Sequence, residues 1–155
     1  MQRRHLLIAA AALPVSTALA HHGWSSFDQD KPVFLAGTVK SVRWQNPHAE
    51  VVLTVASGLL LPADLGKRTA PAQSQKIDGT ALLTRATVPA NAAGEWEIEF
   101  APMSRMEAWG LKEPLKVGDR IELLGYALAD THRKVLRVEY MFVGGRAYAF
   151  RSSPA

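Results

Sequence analysis

Cysteine is missing from all 155 residues. Its absence excludes disulfide scaffolds, thiolate nucleophiles and cysteine zinc sites, and leaves stability to an apolar core with or without a metal. Neither sign of charge strongly predominates. Eighteen Lys and Arg against fourteen Asp and Glu give a formal net charge of +4, too weak a footprint for a nucleic-acid partner. Beyond the first twenty residues no apolar run approaches the roughly 18 residues needed to cross a bilayer, so no membrane span is expected in the rest of the chain. The sequence also lacks a G-x-S-x-G elbow, an H-E-x-x-H pair and a phosphate-binding glycine loop. No residue is singled out as catalytic, and binding is a better expectation than an enzyme.

Residues 1–20 read as an export peptide. Arg3 and Arg4 supply the positive start, Leu6 to Leu13 is apolar, Pro14 interrupts it, and Ala18-Leu19-Ala20 is a small-residue cleavage signal. General secretion is the favoured route, although Arg3-Arg4-His5-Leu6-Leu7 also resembles a twin-arginine signal. Removing this peptide leaves 135 residues and lowers the charge to +2, because Arg3 and Arg4 leave with it. The expectation is a periplasmic or secreted single domain over 21–155.

Apolar alternation marks the strands. Val33 to Trp44 is β-rich, with a slip near Lys40-Ser41 that suggests a bulge. Asn46-Pro47 is a turn, and Glu50 to Val55 alternates with Val51, Leu53 and Val55 on one face. The pattern then dissolves between 57 and 94, which reads as an insertion with at most a small hairpin or helical turn near Ala81 to Thr87. Glu95, Glu97 and Glu99 alternate with Trp96, Ile98 and Phe100, as on a half-buried strand with a solvated edge. Ser104 and Glu107 form a capping box for a short helix, with Gly110 at its C′ position. Further strands follow over Arg120 to Leu128 and Val135 to Val143, and Gly144-Gly145 turns into Ala147 to Phe150. The pattern predicts a mainly β chain: a small, partly open OB-like β-barrel of five to six strands with one short helix.

Processing after Ala20 would place His21 first and His22 second. An N-terminal histidine chelates through its α-amine, whose ordinary pKa is about 7.7–8.0, and its ring. A third nitrogen would complete a T-shaped histidine brace, which suits copper. His48, behind the stiff Asn46-Pro47 turn, ranks first as that ligand and His22 next. His132 ranks last because Arg133 and Lys134 adjoin it. Met103 and Met106 carry soft sulfur, but their helical i, i+3 spacing fits packing better. Copper or another divalent transition metal is therefore the cofactor expectation, with His21, His48 and His22 as its ligands.

These segments resemble a family. His21-His22-Gly23-Trp24-Ser25-Ser26-Phe27-Asp28, Lys31-Pro32-Val33 with Gly37-Thr38-Val39, and Trp44-Gln45-Asn46-Pro47-His48-Ala49 are similar to exported bacterial proteins grouped as the domain of unknown function 6152 family. Trp96-Glu97-Ile98-Glu99, Arg105, Trp109-Gly110, Leu115 and Gly118-Asp119 extend the likeness. The resemblance implies a small periplasmic β-protein and carries no activity with it. Here Gly23-Trp24 stands between the histidines and Ser25, and the 57–94 segment is longer than the family's usual link.

Two other readings compete with metal binding. OB-like faces bind oligosaccharides, so Trp24 and Trp44 are candidate stacking platforms for a glycan, another small ligand or a partner protein. An envelope structural protein with no small ligand is the other. Trp96 and Trp109 read as core, and Lys67-Arg68 as a basic pair within the insertion.

Overall fold

A computed structural model describes residues 23–130 and 132–155. The expected export peptide, His21 and His22 lie outside the described residues. Six strands form one sheet: β1 (Phe27–Arg43), β2 (Glu50–Val55), β3 (Gly94–Glu99), β4 (Arg120–Leu128), β5 (Val135–Val143) and β6 (Arg146–Ala149). Neighbours follow the order β3-β2-β1-β4-β5-β6, and β3 also pairs in parallel with β5. That second pairing matches Glu97, Ile98 and Glu99 with Val135, Leu136 and Arg137. The bonding therefore runs in a ring through β1, β2, β3, β5 and β4, with β6 attached outside it. The mainly β expectation holds, and the ring is the part of the OB-like arrangement that strand pairing establishes.

One long strand makes the ring possible. β1 pairs with β4 through Thr38 and with β2 from Thr38 onward, and its register slips between Val39 and Ser41, where the sequence pattern slips. A bulge adds twist and lets one strand serve both sides of a ring. The curvature brings backbones close: a Cβ at Gly37 would lie 2.3 Å from the Thr54 carbonyl oxygen, and one at Gly125 2.2 Å from that of Arg137. No other residue fits these positions.

Inside the ring, Leu35, Leu53, Ile98, Phe100 and Leu123 are all fully buried. A second core lies outside it, beneath the 57–94 segment. Asp78 accepts a hydrogen bond from Ala81 N–H (2.9 Å) and starts α1 (Gly79–Arg85), which sets Leu82 and Leu83 against Phe34, Leu124 and Tyr140. Thr87 then bonds to Pro32 and Phe34 of β1, and Gln73 pairs with Pro154 of the C-terminal segment. Both faces of β5 are thereby covered, and Val135 to Met141 are all buried.

Three expectations need correction. There are two short α-helices, because α1 precedes α2 (Met103–Ala108). Ser104 does not cap α2: Pro102 holds the extended N-cap position without a side-chain bond, and Asn46 Oδ1, from the β1–β2 turn, accepts the Met103 N–H at 3.4 Å. The cap is thus supplied from a distant loop. Third, β3 is half-buried with Glu95 and Glu97 exposed, as expected, but it is not an edge. It lies between β2 and β5, and Glu95, Glu97 and Glu99 pair with Lys40, Arg133 and Arg137. Gly110 does close α2, with φ +77° and the Gly110 and Leu111 N–H groups bonded to the Glu107 and Met106 carbonyls.

Candidate functional site

The segment that follows Gly23 is closely held. Trp24–Ser26 form a 3-10 turn, Ala129 N–H bonds to the Ser26 carbonyl (2.9 Å), and Gln29 Nε2 donates to the Trp24 carbonyl (3.2 Å). The Trp24 ring carries two guanidinium groups, Arg151 at 3.6 Å and Arg137 at 5.1 Å, and meets Tyr126 edge-on at 6.3 Å. Such contacts contribute about 0.5–2 kcal/mol each. Arg151 is itself held: its Nε bonds to Glu139 (2.9 Å), a fully buried carboxylate, and its Nη1 to Gln29 Oε1 (3.0 Å). Gln73 Nε2 donates to the other Glu139 oxygen at 3.0 Å.

A row of charges crosses the sheet from this anchor. Arg137 pairs in register with Glu99, Glu99 with Glu50, and Glu50 with Arg43. Arg137 and Glu99 form an ion pair at 3.1 Å, with side chains only 10% and 15% exposed, and Arg43 and Glu50 form another. The hydrogen bond to Glu50 raises the Arg43 pKa above its usual value. At the end of this row stands the β1–β2 turn. Its Asn46-Pro47 peptide is cis, His48 is half-buried, and Ala49 is buried with its carbonyl bonded to Phe100 N–H (2.9 Å). His48 precedes Glu50 by two residues, so in extended chain the two share a face.

The remaining candidates are dispersed. Trp44 is half-buried and packs at 6.2 Å on Phe100; Arg151 occupies one face of Trp24. Met106 is fully buried, whereas Met103 is partly buried beside the inner core. Trp96 is buried and donates to the Ala92 carbonyl, and Trp109 donates to that of Ser152. His132 is exposed, with its N–H bonded to Asp130. Among the described residues no three His, Asp or Glu gather into a metal-holding group.

Sequence reasoning missed a cleft at the far end of β4 and β5. It measures about 580 Å³ and is lined by Asp64, Arg68, Arg120, Glu122, Phe142, Arg146 and their neighbours. The basic pair Lys67-Arg68 was the one visible sign of it. Periodicity could not reveal the rest, because the arginines come from the insertion, β4 and β6.

The model described as "Family of unknown function (DUF6152)" matches residues 8–59. No curated protein and no solved structure matches the chain. The matched stretch contains the His21-His22 pair, Trp24 and the Asn46-Pro47-His48 turn, whereas the likeness at 96–119 lies beyond it. Over residues 8–59, about a third of the chain, the protein is similar to the DUF6152 family of unknown function.

Proposed function

We propose that this is an exported protein that binds copper, or another divalent transition metal, at a processed N-terminus. The α-amine and ring of His21 supply two nitrogens and the ring of His48 a third, with His22 as the alternative. The observation that carries this reading is the clamp on Trp24. Three residues after His21 the chain is held by Arg151 and Arg137, and three residues span at most about 11 Å. Arg137 and Glu50 are separated by two strand spacings, roughly 10 Å, and His48 lies roughly 7 Å further along the chain, a span of about 12 Å before either histidine side chain reaches out. Tether and target are therefore commensurate. Pro47 limits the motion of the turn that carries His48, which lowers the cost of ordering the ligand.

The chemistry would be chelation. Two nitrogens of one residue close a ring on the metal, and imidazole suits Cu(II) at the top of the affinity series. The amine must lose its proton, so binding strengthens as pH rises through about 8.

Calorimetric titration with Cu(II) tests the reading on three proteins: one beginning at His21, one with a glycine before His21, and His48→Ala. The expected result is a one-to-one complex in the first. Loss of a direct ligand should cost no less than the roughly 10–100-fold lost with an outer partner, so both altered proteins should bind at least that much more weakly. Equal affinity in all three would overturn the site.

A further inference from the structure

The cleft at the start of β4 has a charge distribution that folding leaves unfinished. Three guanidinium groups line it, from Arg68, Arg120 and Arg146, against two carboxylates. Both carboxylates are already engaged by Arg68: Asp64 accepts its Nε at 2.9 Å and Glu122 its Nη1. Arg68 also lies over the Phe142 ring at 4.9 Å. Its bond to Asp64 lowers the carboxyl pKa there, so Asp64 stays ionised at neutral pH. Arg68 is thus a fixed wall.

Arg120 and Arg146 are different. Among the described residues neither has a carboxylate within ion-pair distance, and Arg146 lies over the Tyr148 ring at 5.1 Å. Both are exposed at the mouth. Ala36 and Phe142 add apolar surface to the lining. At the rim, the Gly144-Gly145 turn leaves nothing within 4 Å of where a Cβ would stand. A volume of about 580 Å³ lies in the usual small-molecule range of about 300–1,000 Å³ and far exceeds a bare inorganic ion. Guanidinium groups recognise oxyanions through paired N–H donors.

We propose that this cleft binds a sugar-sized organic dianion, a phosphate monoester or a dicarboxylate, between Arg120 and Arg146, with Arg68 as the rigid wall. The site is independent of the N-terminal metal reading. From Arg137 to Val143 is six residues of strand, about 20 Å, and neither Trp24, Trp44 nor His48 lines the cleft.

Nuclear magnetic resonance titration at fixed ionic strength tests the proposal. The probes are glucose 6-phosphate, glutarate, inorganic phosphate and neutral glucose. One of the two organic dianions should bind one-to-one, shift the Gly144 and Gly145 amides, and exceed inorganic phosphate in affinity by roughly tenfold; which one binds separates phosphate from dicarboxylate recognition. Arg120→Ala/Arg146→Ala should abolish the shifts. Lys112→Ala/Lys116→Ala removes the same charge away from the cleft and should leave them intact. Absence of binding by both dianions at 10 mM, equal response to all three anions, or equal weakening in the two double variants would overturn the site. Unchanged circular dichroism of each variant confirms that its fold is intact.

Discussion

The inside of the strand ring and its outer face along β5 are both buried, yet they are built from different materials. Inside, Leu53, Ile98, Phe100 and Leu123 fill the space without a polar atom to satisfy. Outside, the same strand offers Arg137, Glu139 and Tyr140, and the covering segments answer with Trp24, Gln73 and Arg151. The first region tolerates any packing of suitable shape and volume. The second works only if particular partners arrive from residues 24, 73 and 151, far apart in sequence. Burial holds the ring together; the matched charges outside it determine where Trp24 and the C-terminal segment come to rest.

Breaking the interior should have the largest effect. Phe100 is fully buried and meets Phe150 at 5.6 Å, so Phe100→Ala should cost about 3–5 kcal/mol in urea unfolding. A cost below about 1 kcal/mol would mean that the ring interior does not carry the fold. Outside, Arg151→Ala leaves Glu139 buried with Gln73 as its remaining partner and uncovers Trp24. Breaking a buried pair costs about 3 kcal/mol or more. Adding Glu139→Gln should recover part of that loss, a rescue that the apolar interior has no means to show.

A smaller change separates the covering segment from the ring. Asp78→Ala removes the α1 cap, worth about 1 kcal/mol. Hydrogen exchange should quicken over 79–85 while the amides of β2 and β3 stay protected. Uniform quickening would show that the two regions open together.

The smallest effect appears only in alkali. Burial is the main cause that raises the pKa of Tyr126 and Tyr140 above 10.0. A phenol whose folded pKa is raised stays neutral where the unfolded chain ionises. Stability is therefore intact below about pH 10 and declines as pH climbs through the folded values. Replacing both by phenylalanine should flatten Tm between about pH 10 and 12, and an equally steep fall would assign the alkaline loss elsewhere.

The same contrast explains what the sequence made legible. β4 and β5 have the expected limits because strong turn residues, Gly118-Asp119 and Gly144-Gly145, bracket a clear pattern. The bulge at Lys40-Ser41 was visible because a slipped register moves side chains between faces. β1 begins six residues earlier than the pattern suggested: Asp28, Gln29 and Asp30 carry no apolar alternation, and a register shift against β4 takes up this stretch. The Asn46 cap on α2 was invisible because Asn46, whose Oδ1 accepts the Met103 N–H, lies 57 residues away from it. The 57–94 segment looked formless because its apolar side chains are spread among turns and a seven-residue helix, and their common face is the outside of β1, β4 and β5. For the candidate site, His48 and its turn were legible, whereas the Trp24 clamp depends on Arg137 and Arg151, which no local pattern connects to residue 24.

The proposed function requires a processed N-terminus and the Asn46-Pro47-His48 turn to meet on one metal. Electron paramagnetic resonance of the one-to-one Cu(II) complex tests this most directly, using protein that begins at His21 and carries nitrogen-15 histidine. The account predicts couplings from two imidazoles and an amine, with one imidazole coupling lost in His48→Ala. A spectrum identical to that of the free His-His-Gly-Trp peptide, unchanged in His48→Ala, would contradict it.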